Sequence, residues 1–125
     1  MKPDGDVYVG TFKAGLKNGS GNQEYGDGGI YVGEWCQGKR HGHGIALTAS
    51  GSRYEGAWIA DTPHGSGKKI FPSGSSYEGG FKEGKRHGKG TFNFADGSVY
   101  IGEWVDEKRT GLGMSELYNG DKYFG

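Results

Sequence analysis

The chain has 125 residues with 15 basic and 15 acidic side chains, so its formal net charge is zero and no long-range field attracts nucleic acid. Cys36 is the only cysteine, which excludes an internal disulfide and favours a reducing compartment. No apolar run approaches the roughly 18 residues needed to span a membrane, and the amino terminus lacks the apolar stretch of a signal peptide, so we expect a cytoplasmic protein without a nucleic-acid partner.

The sequence contains a 23-residue repeat whose spacing is constant along the chain. Each unit begins with a tyrosine, has a glycine two residues later and, where the chain extends far enough, a large aromatic residue four residues later. The tyrosines are Tyr8, Tyr31, Tyr54, Tyr77, Tyr100 and Tyr123, and the large aromatics are Phe12, Trp35, Trp58, Phe81 and Trp104. With 28 glycines and 3 prolines the chain has a low-complexity composition, but its constant register indicates a folded repeat.

In chain order, the predicted repeats span 8–30, 31–53, 54–76, 77–99 and 100–122, and 123–125 begin a sixth. Pro3-Asp4-Gly5 matches the end of a preceding unit. We therefore interpret residues 1–125 as a single array taken from a longer one, with a natural start at a partial unit as the alternative.

Every unit is predicted to contain two β-strands. In the first, tyrosine, glycine and the large aromatic alternate at a spacing of two, as in Tyr31-Val-Gly-Glu-Trp35, which puts all three on one face. The second, such as Thr91-Phe-Asn-Phe94, ends at an Asp-Gly, Ser-Gly or Asn-Gly pair typical of a tight turn. The predicted fold is all-β: an elongated, twisted, single-layer antiparallel meander of tandem hairpins, which is a repeat solenoid.

No segment has a helical apolar period, so the rings are expected to pack on one another from unit to unit. Each ring can lie flat over a neighbouring glycine, because that glycine has no side chain. A third aromatic position, at Tyr25, Phe71 and Phe94, reaches the same face if the turn between units is a type I turn with a glycine bulge, and misses it if the turn has two residues. We favour the bulge.

The unit Tyr-x-Gly-x-Trp/Phe-x-x-Gly-x-x-His-Gly-x-Gly resembles the MORN (membrane occupation and recognition nexus) repeat over the whole chain. Residues 77–97, YEGGFKEGKRHGKGTFNFADG, look like its cleanest copy. Asp61 and Glu107 depart from the pattern where glycine is expected, and Asn18 and Thr110 replace the histidine. The resemblance implies a scaffold or adaptor at membrane or cytoskeletal structures, and as an alternative the binding of phosphoinositide or phosphatidic acid.

No catalytic, cofactor or metal site is predicted. The segment from Gly84 to Thr91 lacks the P-loop spacing and lies between hairpin strands. His41, His64 and His87 occupy one position in successive units, so equivalent atoms are about 10 Å apart, too far to share a zinc ion through bonds of ~2.1 Å. We interpret each histidine as hydrogen-bonded within its own loop, and the chain as non-enzymatic.

Basic residues also recur, and we predict that they lie in the loop between the two strands of a unit, along one edge of the ribbon. They are Lys17, Lys39, Arg40, Lys85, Arg86, Lys108 and Arg109. A row of this kind could contact anionic phospholipid at about 1 kcal/mol per charge. A solvated row balanced by nearby carboxylates is the alternative, and the neutral net charge favours it.

The aromatic face is the stronger candidate for a partner. An uncovered apolar strip containing Trp and Tyr suits an extended peptide or a helix. The predicted partner-binding residues are Tyr31, Trp35, Tyr54, Trp58, Tyr77, Phe81, Tyr100 and Trp104. A choline-binding solenoid also uses aromatic hairpins, but the paired Trp and Tyr cages it needs are not evident. We predict a protein-interaction scaffold that self-associates as a homodimer through an end or a face, with a phospholipid-binding adaptor as the alternative.

Overall fold

A computed structural model describes residues 5–124 of the chain. The predicted unit end at Pro3-Asp4 and the predicted repeat glycine Gly125 lie outside the described residues. The strands are β1 (Val7–Lys13), β2 (Leu16–Glu24), β3 (Ile30–Cys36), β4 (Lys39–Leu47), β5 (Arg53–Ile59), β6 (Thr62–Ile70), β7 (Ser76–Lys82), β8 (Lys85–Asn93), β9 (Val99–Val105), β10 (Lys108–Glu116) and β11 (Lys122–Phe124).

These strands form one antiparallel sheet in which spatial order follows chain order from β1 to β11. Each strand from β2 to β10 pairs with the strand before it and the strand after it, and no helix is present in residues 5–124. The prediction of an all-β, single-layer meander of tandem hairpins is confirmed.

Within each hairpin the two strands are joined by only two residues, both with positive φ. In the second unit they are Gln37, at 51°, and Gly38, at 83°. Positive φ at both central positions is typical of a type I′ turn, whose twist matches that of the flanking strands. In the third and fifth units a non-glycine residue takes the second position, Asp61 at 74° and Glu107 at 75°.

The prediction that the basic residues lie in inter-strand loops is wrong. The type I′ turn ends at Gly38, and Lys39 is already the first residue of β4. The extra residues are absorbed by a bulge: the register shifts between Gly33, which is opposite Gly44, and Trp35, which is opposite Arg40. The same arrangement puts Lys85 at the start of β8, Lys108 at the start of β10, and Lys17 inside β2.

The turns that connect successive units have the predicted glycine bulge. In the first of them, Gly28 N donates to Tyr25 O at 2.9 Å and Tyr25 N donates to Gly29 O at 2.9 Å. Gly28 has a φ of 98°, as a bulge glycine requires. As predicted for this geometry, Tyr25 and Phe71 pack against the aromatic core, whereas Phe94 stays 38% exposed.

The core lies along one face of the sheet and is made almost entirely of the repeated rings. Its buried hydrophobic members are Tyr31, Trp35, Tyr54, Trp58, Tyr77, Phe81, Tyr100 and Trp104, each between 0% and 5% exposed. We call this side of the sheet the aromatic face. No second layer covers it within residues 5–124, so burial comes from neighbouring rings and from side chains of the same sheet.

Candidate functional site

The aromatic face is built on pairs of glycines that oppose each other across the strands. Gly33 of β3 is opposite Gly44 of β4, and the ring of Tyr31 lies over the pair. A Cβ atom added at Gly44 would stand 2.1 Å from Tyr31 Oη, and one at Gly33 would stand 2.5 Å from Gly44 Cα. The predicted packing of rings over glycine is therefore confirmed, and no larger residue fits at either position.

Each of four tyrosine hydroxyls is satisfied at the far end of the same unit's first strand. Tyr31 Oη donates to Glu34 O at 2.9 Å, and the hydroxyls of Tyr8, Tyr54 and Tyr77 make the equivalent bond at 2.8 to 2.9 Å. Burial raises the pKa of Tyr31, Tyr54 and Tyr77 to about 12. These hydroxyls stay neutral at physiological pH and have a structural role.

The large aromatic of each unit connects that unit to the one before it. Tyr31 meets Trp35 of its own unit edge to face at 5.0 Å, and meets Trp58 of the next unit in the same way at 5.2 Å. The indole N–H of Trp58 donates to Gly44 O at 3.1 Å. Edge-to-face pairs contribute about 0.5–1.5 kcal/mol each beyond their buried area, so these ring contacts stabilise the packing of neighbouring units on one another.

Cations lie over the rings along the same face. The Arg40 guanidinium carbon is 4.6 Å from the ring centroid of Trp58, and that of Arg86 is 4.6 Å from Trp104. Lys17 Nζ is 4.7 Å from the Trp35 centroid, and the Arg109 guanidinium is 5.0 Å from Tyr100. These distances are within the range of cation–π interaction.

Two of these arginines are fixed by carboxylates from the next unit's turn. Arg40 N and Nε both donate to Asp61 Oδ1, at 2.8 and 3.1 Å. Arg86 N and Nε both donate to Glu107 Oε1, at 2.6 and 3.0 Å. The acidic residues that depart from the repeat pattern are therefore the partners of the arginines 21 residues before them.

Sequence reasoning missed this pairing, although the sequence carries its signal. Where the earlier residue is Lys17 or Pro63, the turn keeps glycine, and Gly38 N or Gly84 N donates to the carbonyl of that residue at 2.9 Å. The acid appears only where the earlier residue is arginine. Comparing the units shows that an acidic residue in the turn occurs together with an arginine 21 residues earlier.

The predicted basic row is divided between the two faces of the sheet. Arg40 is opposite Trp35 and shares its face, whereas Lys39 is opposite Cys36 and lies on the other face. The pairs Lys85 with Lys82 and Lys108 with Val105 repeat this arrangement. Lys39, Lys85 and Lys108 are exposed, while Lys17, Arg40 and Arg86 are half-buried against rings.

One histidine, His64, contacts the neighbouring unit, which differs from the interpretation that each histidine bonds within its own loop. His64 Nδ1 accepts from Glu83 N, in the turn of the following unit, at 3.4 Å. In the second unit the backbone N of His43 donates to Glu34 Oε2 at 2.6 Å. No group of three or more His, Cys, Asp or Glu in residues 5–124 is arranged to hold a metal ion.

Cavities occur on both faces of the sheet. A hollow of about 220 Å³ on the aromatic face is lined by Tyr54, Trp58 and Phe81 together with smaller and charged side chains. On the opposite face an open groove of about 570 Å³ has a floor of Gly56, Gly67 and Gly79. Residues 5–124 contain no helix that is long and apolar enough to cross a membrane.

A single sheet of hairpins with one aromatic core face defines a β-hairpin repeat protein. A family model for the MORN repeat matches residues 8–30, 31–53, 54–76, 77–99 and 100–122. The chain belongs to the MORN repeat family, as its sequence pattern indicated. MORN repeats are non-enzymatic modules that interact with proteins or membranes.

Among solved structures, the chain is similar to the TCP domain of SAS-4 (dCPAP) of Drosophila melanogaster, which was solved in complex with a proline-rich motif of Ana2 (dSTIL). The match covers 99% of this chain and 86% of that one, with 18% identity and a TM-score of 0.29. At these values it carries no argument about function. No curated protein matches the chain.

Proposed function

We propose that this array is a non-enzymatic scaffold that holds an extended segment of a partner protein on its aromatic face. One observation carries the proposal: the face combines buried rings, half-buried cations and an apolar hollow, and no other element of residues 5–124 covers it. Uncovered apolar surface with aromatic and arginine side chains is typical of interaction sites. Membership of a family of interaction modules supports the same function.

The eight predicted aromatic residues take a particular part in this proposal. Because they are at most 5% exposed, they form the floor of the face and keep it rigid. A partner would touch the side chains that stand around the rings, among them the exposed Phe94 and the half-buried Phe71. Polar substitution of Trp58 or Phe81 would unfold the sheet, so substitution of the surrounding side chains is the sharper probe.

We extend the proposal to the location of the protein and to self-association. The lone Cys36 is exposed and free, which suits a cytoplasmic protein, and the family suggests membrane or cytoskeletal structures. Self-association as a homodimer would use the aromatic face or an edge of the sheet. Measurement of the solution mass across concentrations tests it, since a homodimer predicts a mass that doubles as concentration rises.

Anionic phospholipid binding is the second candidate, and the exposed lysines on the opposite face support it. Lys39, Lys85 and Lys108 begin three strands at one edge of the sheet and share a face. β4 and β8 are four strands apart, so Lys39 and Lys85 are separated by roughly 19 Å, and the three predicted lysines by themselves form a sparse row of charge. Arg40 and Arg86 are already paired with carboxylates. We therefore rank this function below protein binding.

Selection from a displayed random-peptide library tests the protein-binding function. Peptides that bind the array are measured against two matched double variants, Phe71→Ser with Phe94→Ser on the aromatic face, and Val32→Ser with Ile101→Ser on the opposite face. Both pairs remove partly exposed apolar side chains. We expect the first variant alone to lose the peptides. Failure to enrich any peptide, or equal binding to both variants, would contradict the proposal.

A further inference from the structure

The hollow on the aromatic face has a defined composition, and we call it the Ala46 pocket. Its floor is formed by Tyr54, Trp58 and Phe81, and Ala46 and Thr48 open one side of it. The remaining lining residues are Arg40, Ser52, Asp61, Pro63, Lys69 and Gly84. With about 220 Å³ it is smaller than the ~300–1,000 Å³ of sites for small organic ligands.

The pocket exists because three departures from the repeat coincide there. Ala46 stands where the other units have Gln23, Lys69, Phe92 and Ser115, and Thr48 stands where they have Tyr25, Phe71, Phe94 and Leu117. Pro63 stands where they have Lys17, Arg40, Arg86 and Arg109. Each departure shortens a side chain on the aromatic face, so the volume that other units fill is left open between β4 and β7.

The charge of the pocket wall is also specific to this pocket. The Arg40 guanidinium is engaged by Asp61, with Nε 3.1 Å from Oδ1. Lys69 Nζ lies 5.1 Å from the ring centroid of Phe71. It takes part in none of the ion pairs among residues 5–124. The wall therefore presents one unneutralised positive charge beside an apolar floor.

We propose that the Ala46 pocket receives one large apolar side chain of a partner peptide, and that Lys69 pairs with a carboxylate adjacent to that side chain in the peptide. This inference rests on the proposed function and adds the specificity of the site. A single anchor side chain buried in a well-packed pocket is the usual centre of a protein interface. The carboxylate is required because the only unneutralised charge at the pocket is positive.

Three synthetic peptides of equal length provide the probes: a central leucine flanked by glutamates, the same leucine flanked by lysines, and a central serine flanked by glutamates. Binding is followed by the NMR shift of the Trp58 indole N–H, because this ring lines the pocket and its Nε1 donates to Gly44 O. We expect saturable shifts with the first peptide only. Equal shifts with all three, or none, would overturn the proposal.

Substitutions that the chain itself uses at equivalent positions test the pocket while keeping the repeat foldable. Ala46→Phe copies Phe92 and Ala46→Gln copies Gln23, and both should weaken binding of the first peptide more than tenfold. Ser115→Phe is the control, since it places phenylalanine at the equivalent position of another unit. If Ala46→Phe fails to fold, Pro63→Arg fills the pocket from the other side and is expected to have the same effect.

Lys69 is tested against its neighbour in the sequence. Lys69→Gln should weaken binding by about two- to fivefold, as expected for one partly exposed ion pair. Lys68→Gln lies on the opposite face and should leave it unchanged. If library peptides bind the aromatic face but ignore the Ala46 and Lys69 variants, the pocket is wrong and the scaffold function stands; if no peptide binds that face, both fail.

Discussion

Arg40 donates two hydrogen bonds to a single carboxylate oxygen of Asp61, from its backbone N at 2.8 Å and from its Nε at 3.1 Å. Asp61 belongs to the turn of the next unit, so the contact joins two repeats. It also fixes the guanidinium over Trp58 at 4.6 Å. This turn position is glycine in most units. Here it is Asp61, which orients a cation on the aromatic face.

Removing this arginine should destabilise the array, although much of the side chain is near the surface. We expect Arg40→Met to lower the free energy of unfolding by about 2 kcal/mol, because the ion pair and the cation–π contact are both lost. Lys39→Met is the control, since Lys39 is exposed on the other face, and it should change the value by less than about 0.5 kcal/mol. Urea denaturation measures both.

A double-mutant cycle with Asp61→Asn isolates the pair. Asparagine tolerates positive φ, so the turn at 74° is retained while the charge is removed. We expect a coupling energy of about 0.5–1.5 kcal/mol between positions 40 and 61. Additive effects of the two substitutions would show that the contact is not a source of stability.

The glycine pairs under the tyrosines should be far less tolerant than the turn glycines. Gly44→Ala introduces a Cβ 2.1 Å from Tyr31 Oη, and relief of this clash displaces the ring and its bond to Glu34 O. We expect the free energy of unfolding to fall by more than about 3 kcal/mol, and the midpoint of thermal unfolding, which is the quantity measured, to fall with it.

Gly38→Asn is the matched control for that substitution. Gly38 has a φ of 83°, but the added Cβ would meet only Leu16 Cδ2 at 3.7 Å, and the equivalent turn position accepts Asp61. The expected cost is below about 1 kcal/mol. Equal costs at positions 38 and 44 would mean that backbone freedom, and not ring packing, selects these glycines.

The strand pattern of this fold was predictable because it depends on local periodicity. Tyr31, Gly33 and Trp35 alternate as a strand requires, and the glycine of each connecting turn marks the bulge that the structure shows. The start of the second strand was not predictable in the same way. The segment from Lys39 to Gly44 mixes charge and glycine, and only the cross-strand register, with its bulge opposite Glu34, shows that it is paired.

The candidate site was predicted at the level of the face and missed at the level of individual contacts. A row of rings on one side of a strand follows from spacing alone. The placement of Lys39 and Arg40 on opposite faces depends on the two-residue turn, which composition does not fix. The pocket beside Ala46 is lined by side chains from neighbouring units, so the sequence of one unit does not predict it.

The buried tyrosines predict a stability that falls in alkaline solution. Burial raises the pKa of Tyr31, Tyr54 and Tyr77 to about 12, whereas tyrosine in an unfolded chain titrates near 10. Above pH ~10 the unfolded state therefore binds fewer protons than the folded state, so its free energy drops relative to the fold. The stability contributed by these three groups is complete below pH ~10 and is lost as the pH rises toward 12.

Ultraviolet absorbance of the phenolate and urea denaturation check this behaviour together. We expect part of the tyrosine absorbance change to appear only near pH 12, and the urea midpoint to fall between pH ~10 and that value. Tyr54→Phe should reduce the late absorbance change and weaken the pH dependence. Titration of every tyrosine near pH 10 in a sheet that remains folded would contradict the burial of these hydroxyls.

The division of the basic residues between two faces predicts how the array behaves with lipid vesicles. Of the seven predicted basic residues, only Lys39, Lys85 and Lys108 are both exposed and on the face opposite the rings, and each contributes about 1 kcal/mol near an anionic surface. We expect weak co-sedimentation with phosphatidylserine vesicles at low ionic strength and its loss near 0.15 M salt, where the Debye length is ≈ 8 Å. The triple variant Lys39→Glu, Lys85→Glu, Lys108→Glu should remove the low-salt binding. Arg109→Gln, which lies on the aromatic face, should keep most of it, and binding that survives the triple variant would remove these lysines as the lipid contact.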